Sequence, residues 1–133
     1  MILVDSSVWI DYFRGIQSSQ TDQLHALLGN EPIATGDLVL AEVLQGFGSA
    51  QDFKQGKKLL TSLPIIELVG GDIAIQAANN FRTLRSQGIT VRKTIDTLIA
   101  TSCIKKGLAL LYRDKDFDPF VEHLGLQSAM PGT

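Results

Sequence analysis

The sequence predicts an α/β fold, a three-layer α/β/α sandwich with a central parallel sheet. Two observations predict it. Short apolar runs of strand length alternate with longer stretches of helical period along the whole chain. Strands that alternate with helices pair in parallel, and helices then cover both faces of the sheet. A third observation, the length of 133 residues, fits one domain able to bury a real core.

The elements follow in order. Met1 to Val4 reads as a buried strand. Ser6 or Ser7 caps a short helix through Phe13, ended by Gly15. Ser18 to Leu28 fits a helix, with Leu24, Leu27 and Leu28 at helical spacing and Gly29-Asn30 as its stop. Pro32 to Ala34 is a short strand, and Thr35 or Asp37 caps a helix through Gln45. Ser49 to Leu60 is a further helix with Phe53, Leu59 and Leu60 inward. Ile65 to Leu68 is a strand entered at Pro64. Asp72 caps a long helix to about Gln87, closed by Gly88. Lys93 to Lys106 is a helix closed by Gly107, and Leu108 to Tyr112 a strand. Asp116 to His123 is a short helix or turn, and Leu126-Gln127 an edge strand. Residues 1–127 thus form one domain, and 128–133 a flexible tail.

Composition narrows the classes. Hydrophobic residues make up 44% and charged residues 20%, which is globular rather than disordered. The net charge of −2 sets no global bias for or against nucleic acid. The single cysteine, Cys103, lies on an apolar helical stretch and reads as a core thiol. It supports neither a disulfide framework nor a zinc quartet. No apolar run approaches the roughly 20 residues of a membrane span, and the N-terminus shows no signal-peptide pattern. The cytoplasm is the expected location.

Four acids stand among core-forming residues. Asp5 closes Ile2-Leu3-Val4, Glu42 lies mid-helix in Leu38 to Leu44, Asp96 interrupts Ile95 to Ala100, and Asp114 follows Leu108 to Arg113. A carboxylate there is costly unless something binds it. Asp5 could equally be a helix cap. Asp37 and Asp72 read better as caps, and Asp11, Asp22, Glu31, Asp52 and Glu67 as solvated. Glu42 and Asp96 resist such readings, since a helix apolar nearly all round is buried.

In parallel sheets ligands bind beyond the carboxyl ends of the strands, where Asp5 and Asp114 fall. Four gathered carboxylates would repel by on the order of 15 kcal/mol at an effective dielectric of about 20. That rivals the whole stability of a domain, about 5–15 kcal/mol. The cluster must protonate or hold cations. Oxygen ligands without histidine or cysteine favour Mg²⁺, with Mn²⁺ as the alternative. Such an ion can activate water and neutralise charge on a phosphodiester, so nucleic-acid hydrolysis is the expected chemistry.

The segments ILVDSSVWIDYFRG, LVLAEVLQGF and TIDTLIATSCIKKGLALLYRDKDFDPF resemble a PIN-domain protein, specifically a VapC-type toxin ribonuclease of a type II toxin–antitoxin (VapBC) pair. The resemblance runs from Met1 to about Gln127. It implies catalytic roles for Asp5, Glu42, Asp96 and Asp114. It implies metal ligation by Asp5, Asp96, Asp114 and Asp116, with Ser6 or Ser7 as a supporting hydrogen-bond partner. Arg113 stands where asparagine or histidine is frequent in the family. The implied activity is Mg²⁺- or Mn²⁺-dependent endoribonuclease action that stops translation. Water would attack phosphorus in line and leave 5′-phosphate and 3′-hydroxyl ends. The implied partners are RNA, a second copy of the chain, and a small VapB-like antitoxin through which alone DNA is contacted.

Most lysines and arginines fall between Arg82 and Lys115, around Asp96 and Asp114. Arg92, Lys93, Arg113 and Lys115 are therefore candidates to grip RNA phosphates. Phe47 and Phe53, flanking the Gly46 and Gly48 turn, could form an apolar groove for an antitoxin helix. Two rivals remain in other classes. A phosphorelay receiver would need paired acids after its first strand, where only Asp5 stands before Ser6-Ser7. A catalytically silent PIN-like binding module would be expected to have lost some of the four acids.

Overall fold

β1 (Ile2–Val4) is the middle strand of a five-stranded parallel sheet in the order β3-β2-β1-β4-β5. The coordinates are a computed structural model that describes residues 1–131. The chain runs from β1 through α1 (Ser6–Phe13) and α2 (Ser19–Leu27) to β2 (Ile33–Gly36). It continues through α3 (Asp37–Gln45) and α4 (Ala50–Thr61) to the edge strand β3 (Ile65–Ile66). α5 (Gly71–Ser86) and α6 (Thr94–Lys106) then lead back across the sheet to β4 (Ala109–Leu111) on the other side of β1. A 3-10 turn (Lys115–Phe117), α7 (Asp118–Leu124) and the edge strand β5 (Gln127–Ser128) complete the fold. The α/β class and the parallel pairing predicted from the alternation are thus present.

Register explains why these strands are so apolar. Leu3 pairs with Ala34 on one side and Leu110 on the other, and all three are fully buried. Trp9, Leu24, Leu60, Leu84, Ile99, Phe117 and Phe120, from six α-helices and the 3-10 turn, close over the sheet and are also inaccessible. Cys103 lies in this core, where burial pushes its thiol pKa up to about 12. It is a packing residue, as expected. The helix stops are also in place: Gly107 closes α6 at φ 68°, a left-handed position that suits glycine.

Some boundaries differ for local reasons. β3 stops at Ile66 rather than Leu68, because the Leu68 N–H leaves the ladder and donates to Asp37 Oδ1 at 3.0 Å. Asp37 is therefore a cross-link to the loop after β3, and Gly36 occupies the N-cap position of α3. Asp72 likewise lies inside the first turn of α5, which begins at Gly71. The expected tail also begins with ordered residues. Ser128 pairs with Leu110 in β5, the Ala129 N–H donates to the Leu110 carbonyl at 2.9 Å, and Met130 packs against the core. The last two residues of that segment, 132–133, lie outside the described residues.

Candidate metal centre

The order of the sheet reverses between β1 and β4, so the switch point, where such sheets bind ligands, lies beyond their carboxyl ends. Asp5 leaves β1 at that edge. Its N–H donates to the Leu111 carbonyl at 2.9 Å, which ties it to the end of β4. Its side chain caps α1: Oδ2 accepts the Ser7 hydroxyl at 2.8 Å and the Ser7 N–H at 3.4 Å. The capping role and the site role are thus open to the same buried residue. Burial raises its pKa, the Ser7 hydrogen bonds hold it back, and Asp114 adds a smaller rise.

Glu42 comes from mid-α3 and is half-buried. Its Oε1 accepts the Ser6 hydroxyl at 3.1 Å. Burial raises the Glu42 pKa, Ser6 opposes that, and repulsion from Asp5 adds to it. The paired serines divide the work: Ser6 serves Glu42 and Ser7 serves Asp5. The sequence left this assignment open.

Asp96 lies in the first turn of α6, where the helix dipole favours negative charge. It is 6% exposed, and its Oδ2 has no hydrogen-bond partner. Burial first, then repulsion from Asp5, raises its pKa to about 6, with Asp114 and Glu42 contributing and Lys93 offsetting part of the rise. Asp114 follows β4, and its Oδ1 accepts the Asp116 N–H at 2.9 Å to cap the 3-10 turn. Asp116 Oδ2 accepts from Arg92 Nε at 3.1 Å.

Asp96, Asp114 and Asp116 each offer one carboxylate oxygen within 4.8 Å of the others. Asp5 and Glu42 stand outside this tight triad but close enough to raise the pKa of Asp96. A buried carboxylate oxygen with no donor, next to two further carboxylates, is what a hard divalent cation satisfies. The donor set therefore fits such an ion.

The basic rim is less uniform than the sequence suggests. Lys93 and Lys115 are exposed beside the acids. Arg92 is also exposed but bonded to Asp116. Arg113 points its Nε at Asp11 Oδ2, 3.2 Å away. Asp11 itself overturns an expectation: it is 6% exposed rather than solvated. Its signal was available, since Asp11 shares a helix face with Ser7 and the core residue Val8. Asp118 accepts the Tyr112 hydroxyl at 2.7 Å.

A parallel sheet with an acidic, metal-fitting crevice at its switch point defines a class, and the match of residues 2–121 to the PIN domain agrees with it. The chain belongs to the PIN-domain family. Among named relatives it is 33% identical over 131 residues to Ribonuclease VapC11 of Mycobacterium tuberculosis, covering 97% of this chain and 98% of that protein. The VapC ribonuclease Mb1587 of Mycobacterium bovis matches to the same extent. Solved structures share the fold. VapBC2 from Rickettsia felis bound to a promoter DNA fragment superposes with a TM-score of 0.72 at 22% identity, covering 96% of this chain and 97% of that one. A toxin–antitoxin complex from Klebsiella pneumoniae gives 0.72 at 21% identity, with 97% and 98% coverage.

Proposed function

We propose that this protein is a Mg²⁺- or Mn²⁺-dependent endoribonuclease of the VapC type, the toxin of a toxin–antitoxin pair. The observation that carries the reading is the triad Asp96, Asp114 and Asp116, with an unpartnered buried oxygen on Asp96. The near-full-length likeness to proteins named VapC ribonuclease supports the substrate class.

Asp5, Asp96, Asp114 and Asp116 are the residues that would hold the ion. Bound there, a divalent cation supplies charge neutralisation at the phosphodiester and a more acidic water. Glu42, raised in pKa and oriented by Ser6, accepts the proton of the attacking water. The water oxygen bonds to phosphorus, the bond from phosphorus to the 3′ oxygen breaks, and that oxygen takes a proton from solvent water to leave as a hydroxyl, while Glu42 returns its proton to solvent. Lys93 and Lys115 steady the flanking phosphates.

The partner reading rests on a groove between α1, α3 and α4. It holds about 340 Å³ and is lined by Ile10, Phe13, Val43 and Phe47, with Arg14 and Asp52 at its border. Phe13 and Phe47 meet edge to face at 5.4 Å, and a side chain at Gly56 would collide with the Phe47 ring. An amphipathic helix of a VapB-like antitoxin is the occupant we assign to it. Phe53 is exposed beside this turn and is not among the lining residues. No helix among the described residues is long and apolar enough to cross a membrane. We place the enzyme in the cytoplasm with its RNA, as a homodimer that meets DNA only through the antitoxin.

The test is incubation of the purified protein with structured RNA and Mg²⁺ or Mn²⁺. Cleavage with 5′-phosphate ends, lost in EDTA and in Asp96→Ala, is the expected result. Products ending in 2′,3′-cyclic phosphate, or cleavage that survives EDTA, would overturn it.

A further inference from the structure

We infer that the Asp11–Arg113 ion pair is a positioning brace for the metal-facing loop after β4. The inference rests on the reading of the acidic site above and assigns Arg113 to metal organisation rather than to RNA. Leu111, the last residue of β4, and the three residues that follow it are each held by a different contact. The Leu111 carbonyl receives the Asp5 N–H at 2.9 Å. The Tyr112 hydroxyl donates to Asp118 at 2.7 Å, which ties the loop forward to α7. Arg113 Nε reaches back to Asp11 Oδ2 at 3.2 Å, which ties it to α1. Asp114 then turns the chain through its bond to the Asp116 N–H.

Asp114 therefore lies between a forward anchor and a backward one. The backward anchor ends on α1, the helix that Asp5 caps. One rigid helix thus sets the position of Asp5 at its start and, through Asp11 and Arg113, that of Asp114. The energetics favour a firm link. The Asp11 side chain is only 9% exposed, so its charge cannot rely on water, and Arg113 is its ion-pair partner. The guanidinium is half-exposed, so it can follow Asp11 at low cost, whereas Asp11 cannot follow it. Groups behind metal ligands that hold them in orientation commonly change metal affinity by about 10–100-fold when removed.

The experiment is a double-mutant cycle on Mn²⁺ affinity, measured by calorimetry on full-length protein, with cleavage kinetics alongside. Asp11→Asn and Arg113→Gln are each expected to weaken Mn²⁺ binding roughly 10-fold, and the double variant no more than either alone. Arg113→Lys, which keeps a charge within reach of Asp11, is expected to recover part of the loss. At saturating Mn²⁺, KM for RNA stays near the parent value in all of them. Circular dichroism confirms that each variant is folded at the assay temperature, and Arg113→Lys with Arg113→Gln carries the comparison if Asp11→Asn is not.

Unchanged Mn²⁺ affinity in the folded variants would overturn the brace. So would a raised KM in Arg113→Gln with Asp11→Asn silent, because Arg113 would then be a phosphate contact. A parent protein that takes up no Mn²⁺ would strike the reading of the acidic site itself, and the brace with it.

Discussion

The two halves of the acidic crevice are built in opposite ways. On the α1–α3 side, Asp5 and Glu42 already have donors: Ser7 holds one and Ser6 the other. On the α6–β4 side, Asp96, Asp114 and Asp116 crowd within 4.8 Å, and the buried Asp96 Oδ2 has nothing. The first half is satisfied by the protein alone. The second is satisfied only by protonation, by the exposed Arg92 at its margin, or by a cation. The missing donor is therefore on the α6–β4 side, while Asp5, held by Ser7, supplies the largest repulsion on Asp96 from across the site.

The largest way to break this contrast is to neutralise the unsatisfied half. Asp96→Asn is expected to lower cleavage roughly a thousandfold and to abolish Mn²⁺ uptake in calorimetry. The same variant should raise the melting temperature of metal-free protein at pH 8 by a few degrees. Retained Mn²⁺ uptake in Asp96→Asn would end the distinction between the halves.

Acidity tests the same point less drastically. Asp96 is raised from 3.8 to about 6 in the fold. Below pH ~4 it is protonated in both folded and unfolded chains. Between there and about pH 6 only the unfolded chain ionises, so metal-free stability falls as pH rises and the penalty is complete above about 6. Metal affinity runs the other way, because a cation needs the ionised form. Mn²⁺ binding is expected to strengthen about 5-fold from pH 5 to pH 6, about 10-fold in all by pH 7, and to level off above that. A flat profile across that range would assign the key ligand elsewhere.

Smaller effects sharpen the satisfied half. Ser6→Ala removes the Glu42 donor and is expected to reduce kcat about fivefold, with Mn²⁺ affinity unchanged, since one such hydrogen bond contributes about 1 kcal/mol. Arg92→Ala is expected to do the least. Freeing Asp116 from a pair exposed to solvent should tighten Mn²⁺ binding no more than about threefold, while KM for RNA rises slightly.

Much of this was legible in the chain because the signals were local. α6 is readable from its apolar period and its glycine stop, and Asp96 stands out as an acid with no local reason to be there. β1 and β4 are readable as apolar runs that each lead to an acid. What stayed hidden depended on partners distant in sequence. Whether Ser6 or Ser7 faces which acid depends on where α3 crosses α1. The end of β3 depends on Asp37 reaching Leu68, thirty-one positions away. Asp11 was misread as solvated because its partner, Arg113, belongs to a strand end on the far side of the sequence.

The central place of β1 also bears on how activity begins. Its partner β4 lies about a hundred residues further along, and closing so long a loop comes late in folding. A growing polypeptide on the ribosome displays Asp5 early but has no crevice to complete. Any product truncated before Leu111 lacks a neighbour for the middle strand and also lacks Asp114 and Asp116. On the proposed assignment of Asp114 and Asp116, premature termination yields an inert fragment, and a cell making this chain meets the hazard only when synthesis is nearly finished.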